Sequence, residues 1–313
     1  MNIVVVGAGA MGLYCAGALA GVSCNTVYLL ARGEAVSGFA AGEPITIDYG
    51  DRQVRRHDVA VIDSFDDVAV PVDAVIVAVK SWQVQEVAGS LAPLIGPQTL
   101  VLTLQNGVDA PLEIAESLGA EHAVAATCVV IAQRTESLTV HCLGADAVIE
   151  LGPVDRVDRP TRELTRLATT LQQAGMTVTV NVDMPRALWR KLMLVASYGG
   201  VGALTGRSTG ETAADPESRG LVESAMHEVA AVARAQGIEI TDGDVAACMA
   251  VYLGFEPATT SSMQRDLRAG RRSELFEQNG AVVAYAERLG VDVPVHHTVL
   301  SAMAPGERSA RAG

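Results

Sequence analysis

The 313-residue chain is long enough for two domains or one large one, and with 49% hydrophobic and 19% charged residues it leaves no room for long disordered tracts. A net charge of −13 argues against nonspecific attraction to nucleic acid or an anionic membrane, so an anionic ligand must find local cations. Five scattered cysteines without C-x-x-C spacing, and six histidines without a ligand array, point to reduced thiols in a cytoplasmic protein and to no metal site.

Residues 1–31 carry no charged side chain. A signal peptide or membrane helix is nonetheless disfavoured, because Gly7, Gly9, Gly12, Gly17 and Gly21 interrupt the apolar run and no Lys or Arg precedes it. The segment reads instead as strand ("NIVVVG"), tight turn and helix ("GAMGLYCAGALAG"). The runs "NTVYLLAR", "DAVIVAVK" and "TLVLTLQNG" are again strand-like. Near-continuous apolar strands interleaved with helices predict a parallel sheet buried on both faces, the mark of a doubly wound, Rossmann-like α/β domain. Further strands are expected at "AVAATCVVIA", "LTVHCLG" and "AVIELG". A helix follows, capped by Asp158, with Pro160 near its first turn and Leu164, Leu167, Ala168 and Leu171 on one face. "GMTVTVNVD" closes this half as a strand.

Beyond Asp183 the pattern turns helical, over 185–198, 216–236, 241–254, 261–269, 274–289 and from about 294, with the tail "PGERSARAG" expected to fray. The expected division is therefore a Rossmann-like domain over 1–183 and an all-helical domain over 184–313.

"VVVGAGAMG" sets Gly7, Gly9 and Gly12 in G-x-G-x-x-G spacing directly after a strand and at the start of a helix. The first glycine permits the turn, the second lets backbone approach a pyrophosphate, and the third allows close helix–strand packing, with Ala10 and Met11 in the same turn. At the end of the second strand, where an NAD site places an acid, stand Ala31 and Arg32; a guanidinium there suits a 2′-phosphate and so favours NADP(H). Lys80 and Asn106 fall at the carboxyl ends of later strands, where open parallel sheets bind ligands. Only Lys80 and Lys191 are lysines; the other 21 basic residues are arginines. Lysine differs from arginine in having a proton that can be lost, which is what a proton donor requires.

Through "GAGAMG", "VAVKSWQV", "LQNGV", "LWRKL" and "SSMQRDLRAGRRSELFEQNG", over nearly its whole length, the chain resembles the 2-dehydropantoate 2-reductases, the ketopantoate reductases. The resemblance implies an N-terminal Rossmann domain, a helical C-terminal domain and NADPH-dependent reduction of a branched 2-oxo acid, a step of pantothenate biosynthesis. It also implies a small-molecule substrate and a homodimer. Carried over residue by residue, the proton donor is Lys191, and Lys80, Asn106 and a position near Ala132 contact the cofactor. Ser262 and Glu274 are the serine and glutamate of the helical domain, with Glu274 orienting Lys191 or binding the cofactor ribose. On a helix Lys191, Val195 and Gly199 share one face at successive i+4 steps. The better-known members carry substrate-holding asparagines at the two later positions, and a third substrate position falls near Thr209. Two substrate hydrogen-bonding groups are thus missing, which leaves open a different 2-oxo acid or a non-catalytic NADP-binding sensor; an opine-type or 3-hydroxy acid dehydrogenase is a further alternative, since these share a Rossmann domain followed by helices.

Overall fold

A computed structural model describes residues 1–68, 71–157 and 159–312. They form two compact units, one of Met1–Gln105 with Asp109–Met184, the other of Asn106–Val108 with the residues from Pro185 on.

The first unit runs β1 (Asn2–Val6), α1 (Ala10–Ala20), β2 (Thr26–Leu30), α2 (Glu34–Ala40), β3 (Ile45–Asp48), β4 (Gln53–Arg56), β5 (Val59–Ile62), β6 (Ala74–Val77), α3 (Val84–Ser90) and β7 (Leu100–Thr103). It continues with α4 (Ala110–Leu118), β8 (Ala123–Arg134), β9 (Thr139–Pro153), α5 (Arg162–Gln173) and β10 (Thr177–Val180). Among the described residues ten strands make one sheet in the order β4-β3-β9-β8-β7-β6-β1-β2-β5, with β10 also beside β9. Strands β1, β6 and β7 lie at its centre, and their alternate residues serve two cores. Ile3, Val5, Ala74, Ile76, Leu100 and Leu102 pack on the face that α1 and α5 cover. Val4, Val6, Val75, Val77 and Val101 pack on the face that α3 and α4 cover. Burial on both faces is why these strands read as unbroken apolar runs. Helix α1 is itself buried almost all round, which accounts for the uncharged N-terminal stretch.

The sheet is mixed rather than wholly parallel: β3–β4 and β8–β9 are antiparallel. Only four residues link β8 to β9, and Thr135 N–H donates to Thr139 O across them at 3.0 Å, so a hairpin forms where a crossover has no room. "LTVHCLG" and "AVIELG" are one strand, β9, with Gly144 at φ +81 inside the bulge where the register with β8 shifts. The expected cap Asp158 lies outside the described residues; the N-cap of α5 is Thr161, whose hydroxyl accepts from Leu164 N–H at 3.2 Å.

The second unit is helical: α6 (Met184–Thr205, entered from the first unit), α7 (Thr209–Ala214), α8 (Pro216–Ala235), α9 (Asp242–Leu253), α10 (Ser262–Arg268), a π-helical turn over Phe276–Gly280, α11 (Ala281–Leu289) and α12 (Pro294–Ala312). The tail expected to fray is instead the end of α12. Its Glu307 is fully buried and accepts from Ser273 N–H at 3.0 Å, Ser273 Oγ at 2.6 Å and Arg311 Nε at 2.6 Å. Among the described residues no helix is long and apolar enough to cross a membrane, and no group of His, Cys, Asp and Glu is placed to hold a metal ion.

Candidate active site

In the first unit the glycine-rich turn is built by close approach. Gly7 leaves β1 at φ +106, its N–H donating to Leu30 O at 3.0 Å. A Cβ on Gly12 would stand 1.7 Å from Gly7 O, so no other residue fits there. Gly9 is the N-cap of α1, and a Cβ there would meet nothing nearer than Ala78 O at 3.9 Å. The turn is therefore closed by Gly12 and open beside Gly9. With Ala10 and Met11 starting α1 and no acid in its first turn, the helix presents N–H donors and positive dipole to that opening. This arrangement fits a dinucleotide pyrophosphate.

Arg32 stands two residues past β2, after buried Ala31, and is exposed. Lys80, also exposed, stands three residues beyond β6 at the start of a 3-10 turn, its Nζ 5.8 Å from the centre of the Trp82 ring. Ala132, on β8, packs against the core on the α1 face. Two residues on, Arg134 reaches the glycine-rich turn, its Nη1 donating to Ala8 O at 3.3 Å. Sequence reading passed over this arginine because 126 positions separate the two and no motif joins them.

In the second unit the 106–108 segment packs on the π-helical turn. Gly107 stands at φ +107, and a Cβ on it would sit 3.0 Å from Glu277 O, so both conformation and space call for glycine. Beside it Asn106 Nδ2 donates to Glu274 Oε2 at 3.2 Å, and Gln278 Nε2 donates to the same oxygen at 3.2 Å. Glu274 is 8% exposed, a carboxylate held by two amide donors. The loop bearing it is tied down on the far side by the Ser273–Glu307 hydrogen bonds and by Arg311, which donates to Ser273 O and to the Glu277 carboxylate.

Lys191 and Val195 are half-buried on α6, and Gly199 is buried. A Cβ on Gly199 would lie 2.9 Å from Ser261 Oγ, so Ser261 occupies the space that a side chain at 199 would need. Ser261 is the N-cap of α10, accepting from Gln264 N–H at 3.0 Å, while Ser262 is exposed at the first helical position. The structure thus brings Ser261, rather than Ser262, to the α6 face. Thr209 is buried and its hydroxyl donates to Glu256 O at 3.1 Å.

Arg190, beside Lys191 on α6, is an ion-pair partner. Arg190 Nε lies 3.2 Å from Asp244 Oδ1, and Arg186 Nη2 lies 3.0 Å from Oδ2. Burial alone raises the Asp244 pKa, but hydrogen bonds from Thr241 N–H and hydroxyl and from Arg186 outweigh it and hold the group down at about 2. This pair fastens α6, which carries Lys191, to the start of α9.

Comparison with known proteins agrees over both units. The ketopantoate reductase PanE/ApbA family matches residues 3–156, and the ketopantoate reductase PanE/ApbA C-terminal family matches residues 183–307. A 2-dehydropantoate 2-reductase of Halobacterium salinarum is 29% identical over 306 residues, 96% of each chain. The crystal structure of 2-dehydropantoate 2-reductase from Geobacter metallireducens is 30% identical, with a TM-score of 0.85 over 99% of this chain and 100% of that one. D-mandelate dehydrogenase in its ternary structure with NADH and anilino(oxo)acetate shares the fold, at TM-score 0.87 and 20% identity over 99% of each chain.

Proposed function

The chain belongs to the ketopantoate reductase family of oxidoreductases, and from that premise we propose that it uses NADPH to reduce a branched 2-oxo acid, in the manner of 2-dehydropantoate going to pantoate. The observation that carries this reading is the meeting of Asn106 with the buried Glu274, two of the family's site positions, at 3.2 Å. The open side of Gly9 and the acid-free start of α1 support dinucleotide binding.

On this reading Gly7, Gly9, Ala10, Met11 and Gly12 hold the pyrophosphate, Arg32 takes the 2′-phosphate, and Lys80, Asn106, Ala132 and Glu274 line the rest of the cofactor. When bound, the nicotinamide supplies a hydride to the carbonyl carbon. Charge then builds on the carbonyl oxygen, where the Lys191 ammonium stabilises it and delivers a proton. Glu274, held by Asn106 and Gln278, orients Lys191 or binds the cofactor ribose. Ser262, Asn106, Val195 and Gly199 belong to the substrate side. An arginine after β2 in place of an acid supports NADPH over the NADH seen with D-mandelate dehydrogenase.

A second reading, a 2-oxo acid other than ketopantoate, is favoured by Val195 and Gly199, neither of which carries a side-chain amide for a substrate hydroxyl, and by Ser261, which fills the space beside Gly199. A site that hydrogen-bonds a substrate hydroxyl discriminates strongly for it, and an apolar one does not. Initial rates of NADPH oxidation over ketopantoate, unhydroxylated branched 2-oxo acids and 3-oxo acids decide. Preferred turnover of ketopantoate supports the first reading, and preference for an unhydroxylated acid supports the second. Reaction only with 3-oxo acids would make the chain a 3-hydroxy acid dehydrogenase, and reaction with a 2-oxo acid only when an amino acid is added to form the imine would make it an opine-type one. NADPH binding with no turnover at all would make it a sensor. The protein is proposed to act in the cytoplasm as a homodimer; a monomer mass by sedimentation at working concentration contradicts the dimer.

A further inference from the structure

Arg134 ends β8, at the root of the hairpin to β9. It is 39% exposed, and three groups hold its guanidinium. Nε donates to Glu136 O at 3.1 Å, Nη1 donates to Ala8 O at 3.3 Å, and Nη2 lies 3.6 Å from Glu34 Oε2. Ala8 lies between Gly7 and Gly9, in the turn that receives the pyrophosphate. Glu34 opens α2 two residues after Arg32, and Gly33 between them stands at φ +62, a sharp turn that directs the chain into the helix. The hairpin tip is fastened to the same region, since Ser137 Oγ donates to Glu43 just past α2. One guanidinium therefore joins the glycine-rich turn to the segment after β2, the two pieces of backbone that border an adenosine ribose in this type of fold.

The charges at that corner are Arg32, Glu34 and Arg134. Glu34 is an exposed acid near the position where an NAD site keeps its ribose-binding acid, and unpaired it would repel a phosphate. The 3.6 Å contact is an ion pair longer than a hydrogen bond, so Arg134 neutralises Glu34 while keeping Nη2 donors to offer. We propose that Arg134 is a second specificity-determining residue for the cofactor, binding the 2′-phosphate with Arg32 and cancelling the charge of Glu34. The proposal rests on the dinucleotide-binding reading above. It accounts for how a chain with an acid so close to the ribose position can favour NADPH.

The test is equilibrium binding of NADPH and of NADH, followed by nucleotide fluorescence, to the wild type, Arg134→Ala, Glu34→Gln and the double variant. Arg134→Ala is expected to weaken NADPH about tenfold or more and NADH less than about twofold, because only one ligand carries the phosphate. Glu34→Gln, a change at a side chain 85% exposed, is expected to tighten NADPH, leave NADH unchanged and restore most of the NADPH affinity lost in Arg134→Ala. Equal weakening of both cofactors by Arg134→Ala would reduce the residue to a brace for the glycine-rich turn and overturn the proposal. Should that variant not fold, Glu34→Gln alone decides, and unchanged NADPH affinity overturns it. A wild type that binds neither nucleotide defeats the dinucleotide reading itself, an outcome distinct from both.

Discussion

Asn106 and Glu274 are 168 residues apart in the chain, and the asparagine Nδ2 stands 3.2 Å from the glutamate Oε2. The contact places a residue that follows a sheet strand in the helical unit, against the carboxylate proposed to act with Lys191. Glu274→Gln keeps the shape of the side chain and removes its charge. A charged hydrogen bond is worth about 1.5–3 kcal/mol, so kcat/KM is expected to fall about ten- to hundredfold while the melting temperature changes little. Unaltered kcat/KM in steady-state assays removes Glu274 from the site.

The contact between Ser261 and Gly199 makes the two positions below Lys191 unequal. Gly199→Asn forces a Cβ to within 2.9 Å of Ser261 Oγ and is expected to cost about 1–3 kcal/mol of stability without improving turnover of hydroxylated 2-oxo acids. Val195→Asn, on a half-buried position, is expected to raise preference for a hydroxylated over an unhydroxylated 2-oxo acid by about tenfold. Denaturation curves and competition kinetics check both, and improved turnover in Gly199→Asn contradicts the first.

Asp244 gives the fold a defined acid limit. Its pKa is about 2 in the folded chain against an ordinary 3.8, so the carboxylate form is favoured by folding. A lowered carboxyl pKa contributes stability that is present above about 4 and lost as pH falls through about 2, in magnitude ~2 kcal/mol at neutral pH. Asp244→Asn is expected to be less stable than wild type by that order at pH 7, with the gap closing toward pH 2. A gap that stays constant with pH in urea titrations refutes the assignment.

Glu307 joins the last helix to the Glu274 loop. Removing it takes the acceptor from the buried Ser273 N–H and hydroxyl and one of two carboxylate partners from Arg311, which keeps Glu277, a loss of roughly 1–3 kcal/mol for the unsatisfied buried donors. Glu307→Ala is expected to lower the melting temperature and kcat together, and truncation after residue 304 to do the same. A truncated chain of wild-type stability and rate contradicts this role for α12.

These relationships divide into those the sequence makes legible and those it hides. Gly7, Gly9 and Gly12 are readable because a single local turn imposes their spacing. The runs of β1 and β6 are readable because burial on both faces leaves no polar position. The strands of the β8–β9 hairpin are legible but their direction is not, since the antiparallel pairing depends on a four-residue link and a bulge at Gly144 rather than on composition. The tail looked frayed because "PGERSARAG" is polar, yet Glu307 is buried against a serine 34 positions earlier. Around the candidate site the residue types were visible but their partners were not. Nothing local distinguishes Ser261, which faces Gly199, from exposed Ser262, or shows that Arg134 reaches Ala8.

The central claim is that Lys191 gives the proton to the reduced carbonyl, and Lys191→Arg tests it while keeping the charge. Arginine holds its proton too tightly to act as the acid, so with saturating NADPH and the best 2-oxo acid of the panel kcat is expected to fall by about 10²–10⁴, with NADPH affinity unchanged. Turnover by Lys191→Arg within about twofold of wild type contradicts the account.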